Sequence, residues 1–204
     1  MNKNEFIFTE KPKEEAYNHW LAKIERIERF TMESSHPGDS IDIGFFLFPA
    51  INSISSNLGY SLRGYLRELG LSKRDAHLIC EIFRNGLLHN YGNHRLVFDD
   101  EESITWGMFS SGGSGGFRAY NPGYTSDEYP EDNLPPDRIF VYEEIDKEGE
   151  HVMATLYLDR LAALVRYDLE QRRVSDQRTT IPLIVGKRVK GKRPTADPRP
   201  LEED

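Results

Sequence analysis

The sequence predicts a mainly α-helical fold, an up-and-down bundle of about four long helices with a small antiparallel β insertion between the third and the fourth. The first observation behind this prediction is that apolar residues recur at helical spacing in four separate stretches. The second is that a group of short β-like runs bounded by turn residues lies at about 95–157, between the third and fourth helical stretches. A chain of 204 residues is long enough to bury one such core and to carry an appendage.

The composition indicates a soluble protein. Hydrophobic residues make up 38% of the chain and charged residues 29%, and no apolar run reaches the roughly 18 residues that a membrane span needs. The N-terminus has no signal-peptide apolar region, and the single cysteine, Cys80, fits a small buried hydrophobe in a cytoplasmic protein. Because the formal net charge is −8, any contact with RNA would need a local basic patch.

Two helices are predicted in the first third of the chain, and a turn at Ser34–Asp39 separates them. The first spans about Glu14–Met32 and presents one apolar face, formed by Tyr17, Trp20, Leu21, Ile24 and Ile27. The second spans about Ile41–Leu69, and Gly70 supplies its stop. Pro49 interrupts it and is expected either to start a new helix or to kink a long one.

The third helix, predicted over Ser72–Tyr91, is the stretch on which the functional analysis depends. Ser72 is a suitable N-cap, and Asp75 stands three residues later. One apolar stripe follows, made of Ile79, Ile82, Phe83 and Leu87. The last turn is unusual for a helix that only has to pack, because it holds Arg84, Asn85, Gly86 and His89.

After Asn90 the composition changes, and two short strands are predicted around an acidic turn, at 95–98 and 103–109. Residues 110–137 are rich in Gly, Ser and Pro and are expected to form a long irregular loop. A β-hairpin is then predicted from two further runs, 138–142 and 151–155.

The fourth helix starts near Leu158 and ends among the residues just before Val174. The two ends of the chain lie outside the predicted bundle. Residues 1–12 are expected either to fray or to dock on the body through Phe6, Ile7 and Phe8. Residues 180–204 form a basic, Pro-rich tail with one short strand at Ile181–Val185. The one dense basic run of the chain, Lys187–Arg193, lies in this tail and is either a nucleic-acid or partner contact or a solvated segment.

The polar residues at the end of the predicted third helix are suited to one reaction, the cleavage of a phosphodiester. A histidine, with an ordinary pKa of about 6.5, transfers protons near neutral pH, and an arginine holds a phosphodiester oxygen with a fork of donors. His89 and Arg84 are therefore a minimal pair for cutting RNA without metal, and Asn85, one turn before His89, is expected either to orient the imidazole or to contact the phosphate. At 100° per residue Arg84 lies roughly 140° from His89, so two copies related by a two-fold axis would be needed to build one cleft.

The run Arg84-Asn85-Gly86-Leu87-Leu88-His89 resembles the signature of the HEPN superfamily (higher eukaryotes and prokaryotes nucleotide-binding domains). That signature is an Arg, often followed by a small polar residue, and then a His a few residues later near a helix end. The resemblance covers 72–91. It implies a single HEPN-like helical domain over 1–179, with the β insertion at about 95–157.

The same resemblance implies a function. HEPN ribonucleases are dimers whose composite site cleaves RNA without metal or cofactor, so Arg84 and His89 become the catalytic pair and Asn85 a helper. Tyr91 and His94 follow the motif and are candidates for substrate binding in the same cleft. Many HEPN proteins are toxins or defence components of bacterial systems. The partners that the resemblance implies are therefore a second copy of the chain, RNA or a nucleotide, and a cognate antitoxin.

Two other interpretations remain open. An Arg or His near a helix C-terminus also complements the free carbonyls and the helix dipole, which is a purely structural role. A HEPN-like protein can also be a catalytically inactive RNA-binding, nucleotide-binding or assembly module, and the acidic net charge and the loop-rich insertion favour that alternative. No metal site is expected, because His19, His36, His77 and His151 show no metal-ligand spacing.

Overall fold

A computed structural model describes residues 6–33, 39–83, 95–97, 103–109, 139–144 and 151–187. Within these ranges the chain forms five helices and six strands. In chain order they are β1 (Phe6–Pro12), α1 (Lys13–Glu33), α2 (Asp39–Asn57), α3 (Leu62–Glu68), α4 (Lys73–Glu81), β2 (Arg95–Val97), β3 (Ser103–Phe109), β4 (Phe140–Glu144), β5 (His151–Tyr157), α5 (Leu158–Ser175) and β6 (Thr180–Lys187).

The fold is mixed α/β, so the prediction of an up-and-down bundle of about four long helices is wrong. Three helices are long, with 21, 19 and 18 residues, but α3 has only 7 residues, and α4 has 9 in the part of the chain that the structure describes. The strands form two separate sheets, one of two strands and one of four. Strands thus contribute to the body of the fold as well as to an insertion.

The predicted second helix is in fact two helices with a corner between them. Gly59 has a φ of 90°, a left-handed conformation that closes α2 and that glycine adopts without steric cost. Ser61 then caps α3, and its Oγ accepts a hydrogen bond from the amide of Gly64 at 3.0 Å. Pro49 lies inside α2 and does not end it. Apolar residues are buried on both sides of the corner, which explains why their spacing predicted one helix.

The four-stranded sheet has the order β2-β3-β5-β4. The predicted hairpin is confirmed, since β4 pairs antiparallel with β5, with Phe140 opposite Leu156. The expectation of a purely antiparallel insertion is wrong, because β3 and β5 run parallel, from Ser103 opposite His151 to Phe109 opposite Tyr157. Parallel neighbours require a long crossover connection, and the chain between β3 and β5 is long enough to make one.

The two ends of the described chain pair with each other. β1 and β6 form an antiparallel ribbon in which Phe6 lies opposite Lys187 and Pro12 lies opposite Thr180. The strand predicted at Ile181–Val185 is therefore confirmed and is longer than expected. Residues 6–12, predicted either to fray or to dock on the body, are a strand, because β6 supplies the hydrogen-bonding partner that the N-terminal sequence alone does not reveal.

One hydrophobic core joins the helices to both sheets. On α1 the predicted apolar face is buried. It packs along α5, where Leu161, Ala162, Val165 and Leu169 are fully buried. Ile104 and Trp106 bring the four-stranded sheet into the same core, and Ile181 brings in the ribbon. In the described ranges no helix is both long and apolar enough to cross a membrane.

A buried polar cluster fastens α3 to α5. The hydroxyl of Tyr65 donates to Asp168 Oδ2 at 2.8 Å, and Arg172 Nε donates to both oxygens of the same carboxylate at 2.9 and 2.7 Å. Tyr65 is fully buried. Burial is the main cause of a pKa for Tyr65 far above its usual value, and the negative charge of the neighbouring Asp168 carboxylate is the second cause. The hydroxyl therefore keeps its proton and remains a donor.

A second polar cluster holds the end of α5 against α1. Lys13 Nζ donates to the carbonyls of Arg173 and Asp176 at 3.0 Å each, which places a cation at the helix C-terminus. The hydroxyl of Tyr17 donates to Asp176 Oδ2 at 3.0 Å. Arg178 binds the same carboxylate and holds the pKa of Asp176 well below its usual range.

The first prediction concerns the buried bond of Tyr65. Tyr65→Phe should lower the free energy of unfolding by about 1–2 kcal/mol, because the lost hydroxyl donates to a carboxylate in a buried setting. Urea unfolding measures the change. Tyr167→Phe, at a side chain that is 60% exposed on α5, the helix that carries Asp168, is the control that should leave stability unchanged. Equal midpoints for Tyr65→Phe and the wild type would contradict the prediction.

The second prediction concerns alkaline pH. Burial and then the bond to Asp176 raise the pKa of Tyr17 to about 12, whereas an unfolded tyrosine titrates near 10, roughly. Between these values the unfolded state loses its proton while the folded state keeps it, so the stability contribution of Tyr17, intact below about pH 10, declines as pH rises.

Between roughly pH 8 and 11 the free energy of unfolding should therefore fall less in Tyr17→Phe than in the wild type. The difference between the two declines should reach about 1 kcal/mol at the upper end of this range. Urea unfolding at each pH tests this. Identical pH dependence in the two proteins would refute the assignment to Tyr17.

Candidate functional site

The predicted site residues lie in one segment, 84–94, which is outside the described residues. This holds for all five of them: Arg84, Asn85, His89, Tyr91 and His94. The structure describes the chain on both sides of the segment, α4 with Ile82 and Phe83 before it and β2 after it.

The start of α4 is as the sequence predicts. Gly70, with a φ of 92°, ends the preceding turn, and Ser72 is the N-cap. The Oγ of Ser72 accepts a hydrogen bond from the amide of Asp75 at 3.0 Å. Leu71 and Ala76 are both buried, as expected for the residues of a hydrophobic staple.

The described part of α4 presents its apolar face to the core. The predicted stripe is confirmed as far as Phe83, because Ile79 and Ile82 are fully buried and Phe83 packs against the core. Cys80 is buried, which agrees with its predicted role as a small hydrophobe. After Glu81 the helix continues through Ile82 and Phe83 as a π-helical turn, a local widening that is frequent near functional sites.

Phe83, the last described residue before Arg84, packs against α2. The ring of Phe83 lies 5.6 Å from the ring of Phe48, centroid to centroid, and Phe48 is fully buried. The chain leaves the segment 84–94 into β2, where Arg95 is paired with Thr105 of β3. Both ends of the candidate segment are therefore attached to the body of the fold.

A third attachment ties the start of α4 to the four-stranded sheet. The hydroxyl of Tyr142, on β4, donates to the carboxylate of Asp75, and the guanidinium of Arg74 lies 4.9 Å from the centre of the Tyr142 ring. Burial, followed by the bond to Asp75, raises the pKa of Tyr142 above its usual value, so the phenol remains a donor. α4 is thus held by α2 on one side and by the sheet on another.

The polar side of α4 carries an ionic cluster. Glu81 Oε1 lies 4.0 Å from Arg63 Nη2 and 3.7 Å from His77 Nδ1, and Arg63 also contacts His77. The i,i+4 spacing of His77 and Glu81 is visible in the sequence, but the participation of Arg63 is not. This cluster connects α3 to α4. Because it is partly exposed, it is an ordinary network of surface ion pairs.

The described residues contain no group of three or more His, Cys, Asp and Glu that would hold a metal ion. His19 and His77 are on different helices, α1 and α4. His36 lies outside the described ranges, and only the backbone of His151, in β5, is described.

Comparison of the chain with protein-family models, with curated proteins and with solved structures finds no match in any of the three. The HEPN resemblance is therefore untested by these comparisons. It rests on the residues of 72–91 alone, of which the described structure covers the first part, through Phe83.

The third prediction concerns the anchor that precedes the candidate segment. Phe83→Ala should lower the free energy of unfolding by about 2–4 kcal/mol, because it removes a partly buried ring from the core beside Phe48. Phe46→Ala removes the same atoms from a side chain that is 59% exposed on α2, and it should cost less than about 1 kcal/mol. Urea unfolding of both variants checks the difference, and equal losses would show that Phe83 does not anchor the chain.

Proposed function

We propose that this chain is a metal-independent endoribonuclease of the HEPN type, with Arg84 and His89 as its catalytic pair. The observation that carries the proposal is the run Arg-Asn-Gly-Leu-Leu-His at 84–89. Its position supports the proposal, because the run directly follows a capped helix whose apolar side is buried up to Phe83. Catalytic groups perform best when rigid elements hold them.

The proposed reaction uses the ribose of the substrate as the nucleophile. His89 accepts the proton of the 2′-hydroxyl while the O2′ atom attacks phosphorus. The O2′–P bond forms and the P–O5′ bond breaks, which leaves a 2′,3′-cyclic phosphate and a free 5′-hydroxyl, protonated by a second acid. Arg84 donates to the phosphate oxygens and stabilises the negative charge that builds on them.

A homodimer supplies the second acid. On a helix Arg84 and His89 are separated by roughly 140°, so one copy places its two groups on different sides of the helix. Packing two copies across Leu88 would put two arginines and two histidines around one phosphate. One histidine then takes the proton from the 2′-hydroxyl and the other gives a proton to the leaving oxygen.

Three further residues complete the proposed site. Asn85 lies one helical turn before His89 and would orient the imidazole or contact the phosphate. Tyr91 and His94 follow in sequence and would contact the RNA on either side of the scissile bond. The single cysteine, Cys80, is buried and has no second cysteine in the chain with which to form a disulfide, which supports a cytoplasmic site of action, where thiols remain reduced.

The fourth prediction tests this function. The purified full chain should cleave RNA in the presence of EDTA and release fragments that end in a 2′,3′-cyclic phosphate. His89→Ala and Arg84→Ala should each lower the cleavage rate at least about 100-fold, because each removes a group that acts in the transition state. His19→Ala, at an exposed position of α1, is the matched control that should keep full activity.

The control and the readouts separate this proposal from its alternatives. Circular dichroism and size-exclusion chromatography establish whether each variant remains folded and dimeric. Loss of the dimer in Arg84→Ala, together with wild-type protein that cuts no RNA, would identify a non-catalytic assembly module instead. Cleavage that is unchanged in His89→Ala would refute the role of the histidine.

A further inference from the structure

Two phenylalanine rings meet on the outer surface where α1 packs against α2. The rings of Phe30, on α1, and Phe46, on α2, lie 6.4 Å apart, centroid to centroid, with an interplanar angle of 77°. Phe30 is 40% exposed and Phe46 is 59% exposed, and neither belongs to the core or to the residues that pack on it. Single exposed apolar residues are ordinary, but two neighbouring rings from different helices make one contiguous apolar surface.

Two exposed carboxylates lie on one side of these rings. The connection between α1 and α2, residues 34–38, is only five residues long, so the two packed helices run antiparallel. Glu33 follows Phe30 by about 4.5 Å along α1, toward this connection. Asp42 precedes Phe46 by about 6 Å along α2, which is also toward the connection. The surface is therefore negative on the side of the rings that faces the connection.

Two exposed cations lie on the other side of the rings. Arg26 and Lys23 precede Phe30 on α1 by about 6 and 10.5 Å. Both lie within about 40° of Phe30 around the helix, whereas Glu25 and Arg29 lie at least about 100° away from it. Helix α2 contains no Lys or Arg. The charges that border the two rings are therefore sorted by sign along the helices.

These four charged side chains make no ion pair inside the described part of the chain. Within those ranges, Lys23, Arg26, Glu33 and Asp42 also form no side-chain hydrogen bond. Glu28, on the side of α1 that faces α5, is by contrast paired with an arginine. The four charges around the rings therefore remain available to a second surface.

We propose that this surface binds the same surface of a second copy of the chain. The α1–α2 surface consists of Lys23, Arg26, Phe30, Glu33, Asp42 and Phe46. A two-fold axis that crosses both helices at the level of the rings reverses the direction along them, so the positive side of one copy faces the negative side of the other. Arg26 then lies opposite Glu33 of the second copy, and the aromatic rings meet at the centre, as in many protein interfaces. A nucleic acid fits less well, because its phosphates would meet the two carboxylates.

This contact is separate from the one that the proposed nuclease requires, which packs two copies across Leu88. Phe83, the last described residue before the segment 84–94, packs on Phe48. Phe48 lies about 160° around α2 from Phe46, on the opposite side of that helix. A protein that uses only the α1–α2 surface forms a dimer, and a protein that uses both contacts forms a tetramer. The inference therefore does not rest on the proposed function.

The fifth prediction is a charge-reversal experiment on the full-length chain, with sedimentation velocity as the measurement. Arg26→Glu and Glu33→Arg each replace two attractive contacts per dimer by like-charge contacts. Each variant should therefore associate at least about tenfold more weakly than the wild type, and the mass of its assembly should halve. The double variant Arg26→Glu/Glu33→Arg should regain the wild-type affinity. The two single variants, mixed in equal amounts, should associate with each other, because each contact of the mixed dimer again joins a basic side chain to an acidic one.

Matched variants separate this surface from a general effect of charge. Arg67→Glu and Glu68→Arg make the same changes of charge at exposed positions of α3 and should leave the assembly unchanged. Phe30→Ala removes a ring from the centre of the surface and should weaken association at least about tenfold. Circular dichroism establishes that each variant remains folded. Because Phe46 belongs to the surface, the unfolding of Phe46→Ala is compared with that of Phe83→Ala at concentrations at which this contact is dissociated.

Three results would overturn the inference. The first is a wild-type protein that remains a monomer at about 200 μM, since even a weak interface should be occupied there. The second is an assembly that Arg26→Glu and Glu33→Arg leave unchanged. The third is association that both single variants lose and that neither their mixture nor the double variant restores, which would show that Arg26 does not face Glu33 of a second copy.

RNA cleavage by the same samples keeps this inference distinct from the proposed nuclease. A wild type that cuts no RNA but assembles as predicted would refute the nuclease alone. Cleavage of RNA by a wild type whose assembly is insensitive to both charge reversals would refute the α1–α2 contact alone.

Discussion

The packing of α5 against α1 is the contact on which the rest of the structure depends. Leu161, Val165 and Leu169 are fully buried there, and an ion pair between Arg166 Nε and Glu28 Oε2, at 2.8 Å, borders the same interface. Other elements attach to these two helices. α3 is bonded through Asp168, β1 runs directly into α1, and α5 leads through a short connection to β6. Disturbing this interface would therefore loosen both ends of the chain as well as its centre.

The support of α4 matters because the candidate catalytic residues follow it directly. The 9 described residues of α4 are too few to form a stable helix by themselves, so the position of this described part depends on its contacts. The Ser72 cap, the buried residues up to Ile82 and the bond from Tyr142 provide those contacts from three directions. A metal-independent nuclease has only its side chains to position a phosphate, and a well-held helix end suits that requirement.

Comparison of prediction with structure shows which features can be derived from local sequence. The spans of α1 and α5, the Ser72 cap and the apolar stripe from Ile79 to Phe83 were predictable, because each depends on residues within a few turns of one another. The corner at Gly59 was missed, because the apolar spacing continues past it. The Tyr65–Asp168 bond was also missed, because its partners lie 103 positions apart and neither belongs to a recognisable pattern.

The sequence by itself determined where most helices form, and the proposal that Arg84 and His89 act on a phosphate also comes from the sequence alone. Only the tertiary structure decided that residues 6–12 become a strand, that β3 and β5 run parallel, and that the fold is mixed α/β instead of a helical bundle. The physical reason is that helical hydrogen bonds close within four residues, whereas a strand acquires its partner from a distant part of the chain. The pairing of β1 with β6 is therefore a property of the folded protein, although the strand at Ile181–Val185 did have a local signal in the sequence.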